Sequence, residues 1–169
     1  MKLNLGSGRN RYEGWTNVDI NPDVNPDIVA DVLSLPLEDS TVDEIVASHI
    51  LEHTPFYSDA LGEWKRVLKP GGRVVVVTPD ILQAYAFYRA GQWPLEYFMA
   101  TIFGGYLIGV GEEKYQSHFQ AFTTDMLKER MAYHFENVKV IFKHELLPLG
   151  LGEAVVQGTK PLIKEEENG

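Results

Sequence analysis

Leu3-Asn4-Leu5-Gly6-Ser7-Gly8 is an apolar strand that breaks directly into a turn with glycine at positions 6 and 8. A second strand, Thr16-Asn17-Val18-Asp19-Ile20, follows closely and carries an acid near its tip. Paired glycines let a ligand lie against bare backbone N–H groups. An acid at the end of the next strand is placed to accept the hydroxyls of a ribose. The two features together describe a nucleoside-containing cofactor at the carboxyl edge of a parallel sheet.

The spacing narrows the cofactor. A dinucleotide site requires Gly-x-Gly-x-x-Gly running into a helix whose positive end faces a pyrophosphate, with the acid about 20 residues further on. Here Arg11 stands at the third glycine position, and only residues 9–15, interrupted by Gly14, precede the second strand. No helix of ordinary length fits there. A nicotinamide-dependent reductase is therefore disfavoured. S-adenosylmethionine has no phosphate, and its adenosine, sulfonium and amino-acid groups suit what remains.

Composition bounds the reading. The chain has 169 residues, enough for one domain with a single core, here placed at 1–163 with a flexible acidic tail at 164–169. A net charge of −9 without a Lys/Arg cluster argues against a nucleic-acid partner, since phosphate neutralisation supplies most of that binding. No cysteine is present, which excludes disulfides and thiolate metal sites, and no metal is expected. Residue 3 already begins a strand, leaving no room for a signal peptide, and no apolar run approaches about 18 residues. The expectation is a cytoplasmic protein without a membrane partner.

Along the chain, prolines and Asx residues at 21–26 leave no room for a helix after the second strand. Residues 27–32 and about 42–50 read as the third and fourth strands, the latter nearly continuous in apolar character, as for a strand buried on both faces. A helix is expected from Thr54, as N-cap with Pro55 next, carrying Ala60, Leu61, Trp64, Val67 and Leu68 on one stripe and ended by residues 69–72. Within that helix Glu63 and Arg66 read as an i,i+3 pair or an anchor to the turn at 69–72. Residues 73–78, with four consecutive valines, form a central fifth strand. Asp80 caps a helix to Gly91, Pro94 opens another to Phe103, and Thr123 or Thr124 starts a last one to about Phe135. Val138, Val140 and Phe142 alternate as a sixth strand, and residues 154–159 form a seventh. Between Gly104 and Phe122 lies a glycine- and ring-rich loop without period, expected to act as a substrate lid at about 104–122.

Five segments in this order resemble a family: LNLGSG (3–8), GWTNVD (14–19), DIVADVLSLPLEDSTVDEIVASHILEH (27–53), EWKRVLKPGGRVVVVTPD (63–80) and FTTDML (122–127). The resemblance is to the class I S-adenosylmethionine-dependent methyltransferases, and most of all to small bacterial members linked to cell-surface polysaccharide and glycosyl-transfer pathways. It runs from Lys2 to about Phe135, and no single motif carries it. It implies a Rossmann-like α/β fold with a seven-stranded, mostly parallel sheet, in which strand 7 is antiparallel and inserted between strands 5 and 6. The sequence departs from the family in having no helix before strand 1 and none between strands 1 and 2.

By the same resemblance, Gly6 and Gly8 meet the methionine part of the cofactor, Asp19 the ribose and Asp31 the adenine amino group. Val32 offers an adjacent N–H, and Ser48 and His49 lie beneath the sulfonium. Asn4, Ser7, Ile20 and Leu33 complete the expected cofactor set. Because the sulfonium is already an activated leaving group, the protein mainly has to align a nucleophile and exclude water. A base matters for a hydroxyl acceptor and less for an amine. His118, among the rings of the loop, is the first candidate, with Tyr115 and His49 next. His53, just ahead of Thr54-Pro55, reads as structural.

The expected activity is methyl transfer to a small-molecule or sugar-containing acceptor. A different class of function is a catalytically silent S-adenosylmethionine-binding module serving a partner enzyme. Apolar groups on strands 2 and 3, among them Ile20, Ile28, Val29 and Val32, call for cover on both faces. Either the helices between Ile81 and Phe103 fold back across the bare face, or a second copy of the chain covers it in a homodimer.

Overall fold

The computed structural model describes residues 1–104, 117–141 and 152–162. Seven strands form one sheet: β1 Lys2–Leu5, β2 Thr16–Asp19, β3 Ile28–Val29, β4 Val42–Ser48, β5 Leu68–Pro79, β6 Glu136–Val140 and β7 Glu153–Thr159. Their order is β3-β2-β1-β4-β5-β7-β6. Strands β1 to β5 pair in parallel, while β7 runs antiparallel to both β5 and β6. The implied seven-stranded topology, with strand 7 inserted antiparallel, is the observed one.

One face is packed by helices. Ala60, Leu61, Trp64 and Val67 of α1 (Tyr57–Val67) and Leu127 and Met131 of α4 (Thr124–Ala132) share one buried cluster with Leu3, Leu5, Val18, Ile45, Val74, Val76 and Val156. Trp64 also donates its indole N–H to the carbonyl of Val32 at 3.1 Å, which fixes the chain just after β3. Glu63 and Arg66 form the expected pair at 2.7 Å and do more. Glu63 accepts from the Leu35 N–H, and Arg66 donates to the carbonyls of Leu35 and Leu37, so α1 holds the loop that follows Asp31.

The opposite face is covered in part from within the chain, by a route other than a fold-back of the helices between Ile81 and Phe103. Val46, Val75, Val77 and Val155 are packed by Tyr12 and Trp15, which come from the β1–β2 connection itself. The two rings meet edge to face at 5.9 Å, and the Lys2 ammonium lies over Trp15. Buried amides replace the missing helix as the scaffold of this connection: Asn4 Nδ2 donates to Asn10 O and Asn17 Oδ1, and Asn17 in turn donates to Asp27. Helices α2 (Ile81–Arg89) and α3 (Leu95–Phe103) pack on each other through Tyr85, Tyr88 and Phe98. With Ile20 48% and Val29 57% exposed, the outer edge at β2 and β3 is not covered by a fold-back of these helices.

Several boundaries differ from the sequence reading. The third strand is two residues rather than 27–32, because Asp27 satisfies the backbone of Asn17 with its side chain in place of a ladder bond. The first α-helix begins at Tyr57, not after a Thr54 cap. Leu51–His53 form a 3₁₀ turn, the Thr54 hydroxyl donates backward to the Ile50 carbonyl, and Phe56 stands at the N-cap position without a side-chain cap bond. Residues 69–72, expected to end the helix as a turn, run within β5, beside a register shift between Val42 and Glu44. The Asp80 and Thr123 caps are as expected.

Candidate active site

A cavity of about 840 Å³ opens at the carboxyl edge of the parallel strands, within the size range of small-molecule sites. Gly6, Gly8, Asp19, Ile20, Asp31, Val32, Leu33, His49 and His118 of the expected set all line it. Asn4, Ser7 and Ser48 do not. Asn4 is the buried amide described above, and the Ser7 N–H donates to the Val18 carbonyl. Tyr115 lies outside the described residues, as does most of the expected lid.

The glycine turn works through space more than through free donors. Gly6 and Gly8 have φ of +63° and +49°. A Cβ on Gly6 would sit 2.7 Å from Cβ of Ile50, so the close approach of the β4 exit requires glycine. A Cβ on Gly8 would meet nothing within 4 Å and would stand in the cavity that Gly8 lines. The Gly8 N–H is already taken by Asp19 Oδ2 at 2.7 Å. This corrects the expectation of two bare donors.

Asp19 is held rigidly, its other oxygen accepting from the Asn21 N–H at 2.9 Å. Each oxygen keeps a second lone pair, so the carboxylate both pins the turn and presents an acceptor to the cavity. Asp31 makes an Asx-type bond from Oδ1 to the Leu33 N–H at 2.9 Å, which orients the loop Val32–Leu33 beside it. Ile20, Val32 and Leu33 supply apolar walls between the two acids. An acid, an apolar slot and a second acid thus follow one another along this wall of the cavity.

The far side of the cavity is lined by three histidines, with the buried Glu52 beside them. His49 follows β4 with φ of +54°, a backbone state that a non-glycine residue adopts only when its surroundings impose it. Its Nε2 lies 3.0 Å from Glu153 and its Nδ1 3.3 Å from Glu52. Desolvation opposes its charge, but the bond to Glu153 and the charges of Glu153 and Glu52 outweigh that and raise its pKa to about 10. A ring that is cationic at neutral pH cannot take a proton, so His49 does not fit the role of base.

His118 is the opposite case. Burial pushes its pKa down, only partly offset by the charge of Glu52, so the ring is neutral at neutral pH. Its Nδ1 is 3.1 Å from the Thr101 carbonyl, which must be met by an N–H and leaves Nε2 with the lone pair. His53, expected to be structural, also lines the cavity, with Nδ1 3.1 Å from the Ser117 carbonyl and its ring edge-on to His118 at 4.7 Å. Sequence reasoning missed His53 and Glu52 as site residues. The spacing His49-x-x-Glu52-His53 was the available signal.

A sheet of this order, with its cavity at the carboxyl edge between a glycine turn and two acids, is the fold of the class I methyltransferases, whose cofactor is S-adenosylmethionine. Residues 7–76 match the family described as "Methyltransferase domain". Among curated proteins it is 33% identical over 115 residues to a demethylmenaquinone methyltransferase of Staphylococcus aureus, covering 64% of this chain and 44% of that protein. It is 45% identical over 47 residues to an uncharacterized 37.1 kDa protein in a transposon of Streptomyces fradiae, 28% of this chain and 14% of that one. The chain thus spans less than half the length of these relatives.

Solved structures share the fold. A SAM-dependent methyltransferase from Archaeoglobus fulgidus aligns over 94% of this chain and 85% of its own, with TM-score 0.64 and 18% identity. A 1,6-didemethyltoxoflavin-N1-methyltransferase from Burkholderia thailandensis, solved with its substrate and S-adenosylhomocysteine, aligns over 95% and 70%, with TM-score 0.57 and 16% identity.

Proposed function

We propose that this chain binds S-adenosylmethionine in the cavity at the sheet edge and transfers its methyl group to a small-molecule or sugar-containing acceptor. The observation that supports the reading is the convergence of Gly8, Asp19, Asp31 and the Ile20–Val32 slot with a neutral histidine, His118, on one cavity. In this reading Asp19 accepts from the ribose hydroxyls, Asp31 from the adenine amino group, and Gly6 and Gly8 clear the path of the methionine moiety. The acceptor enters on the side of His53 and His118. For a hydroxyl acceptor, the oxygen lone pair attacks the methyl carbon, the carbon–sulfur bond breaks toward sulfur, and His118 Nε2 takes the proton. A positively charged His49 at the strand end helps hold the local acids in place and is not itself a proton acceptor.

The protein acts in the cytoplasm in this reading. Among the described residues no helix is long and apolar enough to cross a membrane.

Calorimetry with S-adenosylhomocysteine and with NAD tests the ligand class, binding of the first and not the second being expected. A screen of sugar nucleotides and small hydroxylated or amino metabolites with labelled cofactor then tests transfer. Tight binding of S-adenosylhomocysteine with no transfer to any acceptor, and no effect of replacing His118 or Tyr115, would favour a silent binding module instead.

A further inference from the structure

We propose that Glu52, His53 and His118 form a binding site for a divalent first-row metal ion at the acceptor side of the cavity. One ligand atom from each of the three residues lies within 4.8 Å of the others, the one such group among the described residues. Glu52 is 1% exposed, and neither of its carboxylate oxygens has a hydrogen-bond partner. A buried carboxylate left without hydrogen bonds is costly unless a cation sits beside it. The His49 ring stands 3.3 Å from Oε1 as a charge partner on one side, and Oε2 is buried without a hydrogen-bond partner.

The two rings are oriented for ligation. Each points its Nδ1 at a backbone carbonyl, His53 at Ser117 and His118 at Thr101, both at 3.1 Å. This is the arrangement in which a metal-binding histidine donates one N–H to an outer partner and offers the other nitrogen. The segments that carry them are tied together. The N–H groups of Phe119 and Gln120 both donate to the carbonyl of Glu52, at 2.8 and 3.2 Å, which brings His118 to the Leu51–His53 turn across 65 positions of sequence.

Two imidazoles and one carboxylate are a donor set for Zn²⁺, Co²⁺, Mn²⁺ or Fe²⁺ and leave coordination positions open. His53 and His118 line the same cavity that takes the cofactor, so an open position would face a bound acceptor. The acceptor class is then one with a hydroxyl or carboxylate oxygen able to coordinate. Coordination would lower the hydroxyl's pKa, its proton would leave to solvent, and the metal would take the place of the His118 lone pair as activator. The binding claim goes beyond the methyl-transfer reading and is testable without cofactor or acceptor.

The experiment is titration of the chelator-treated full chain with Zn²⁺ by calorimetry and with Co²⁺ by visible absorption. One ion per chain, micromolar or tighter, with d–d bands of a nitrogen–oxygen site, is expected. Glu52→Gln, His53→Ala and His118→Ala should each weaken binding by about 100-fold or more, beyond the roughly 10- to 100-fold cost of losing an outer partner. His134→Ala, at the distant contact with Ser58, should leave it unchanged. If Glu52→Gln fails to fold, the two histidine variants decide. Absence of stoichiometric binding at tens of micromolar, or equal affinity in wild type and the His53 and His118 variants, overturns the assignment.

Discussion

The imidazole of His49 and the carboxylate of Glu153 join the end of β4 to the start of β7, Nε2 to Oε1 at 3.0 Å, across 104 positions of sequence. This pairing, with the charge of Glu52 on the other ring nitrogen, raises the His49 pKa from 6.5 to about 10 against the cost of burial. A group whose folded pKa is raised contributes stability that is fully present below its unfolded pKa and is lost as pH rises through the folded value. Stability from this pair should therefore decline steadily between pH 6.5 and about 10. Thermal melts of wild type and His49→Gln across that range check it: the gap in Tm should narrow toward pH 10. A gap that stays constant would remove His49 as a titrating partner.

The two acids are expected to separate. If Asp31 accepts from adenine, Asp31→Ala removes a charge-assisted hydrogen bond worth about 1.5–3 kcal/mol, and S-adenosylhomocysteine should bind roughly 10- to 150-fold more weakly. Its structural bond is a local turn, and Tm should hardly move. Asp19→Ala should weaken binding by a similar factor and also lower Tm, because its carboxylate carries the N–H groups of Gly8 and Asn21. Calorimetry and melting on both variants give the comparison, and unchanged affinity in either excludes that acid from the site.

Gly6→Ala should be destabilising by about 1–3 kcal/mol, since it combines a positive φ with a 2.7 Å approach to the Ile50 Cβ, an atom anchored to backbone. Gly8→Ala has the strained φ without the clash, and should spare folding more than it spares cofactor affinity. Denaturant midpoints together with S-adenosylhomocysteine titrations distinguish the two. Equal loss of stability in both variants would contradict the packing argument.

The strand order followed from the resemblance of five segments, and the residues gathered along one half of the cavity were legible because local signals carry them. Gly6, Gly8, Asp19 and Asp31 sit beside their strands in sequence as they do in space. The boundaries that shifted did so where a side chain competes with the backbone. Asp27 took over the bonding of Asn17, and the Thr54 hydroxyl turned back to Ile50. Cover of the second sheet face was illegible because Tyr12 and Trp15 lie in a loop with no period. The far side was legible only in part, His49 and His118 being expected there and Glu52 and His53 not. His118 is brought to Glu52 and His53 by long-range backbone bonds, and burial lowers the pKa of one histidine while paired acids make another cationic.

His118→Ala should reduce turnover far more than cofactor affinity if the residue serves the acceptor. A positioned base contributes typically 10²- to 10⁴-fold, and a comparable loss in kcat is expected with S-adenosylhomocysteine affinity within about threefold of wild type. The ring packs on His53 and accepts no described bond from the cofactor half. Parallel loss of binding and turnover would mean that His118 shapes the cavity instead. Full turnover in the variant would exclude it from the chemistry.

The last expectation concerns what covers α3. Leu95, Tyr97 and Phe103 are 51, 55 and 50% exposed, and no residue of this helix is fully buried, although most of its side chains are large and apolar. Leu82 on the neighbouring α2 is exposed as well. Contiguous apolar surface of several hundred square ångströms is unusual on a monomer. The fold-back that would have hidden these groups against β2 and β3 is not the arrangement found. A second copy packing the α2–α3 pair across a two-fold axis would bury like against like, the self-complementary contact that closes a dimer. Light scattering after size exclusion at micromolar concentration should give twice the 19.1 kDa chain mass. Leu95→Glu combined with Tyr97→Glu, both on the exposed side, should return it to the chain mass while leaving the melting curve cooperative. A clean monomer mass for the unmodified chain would end the dimer proposal.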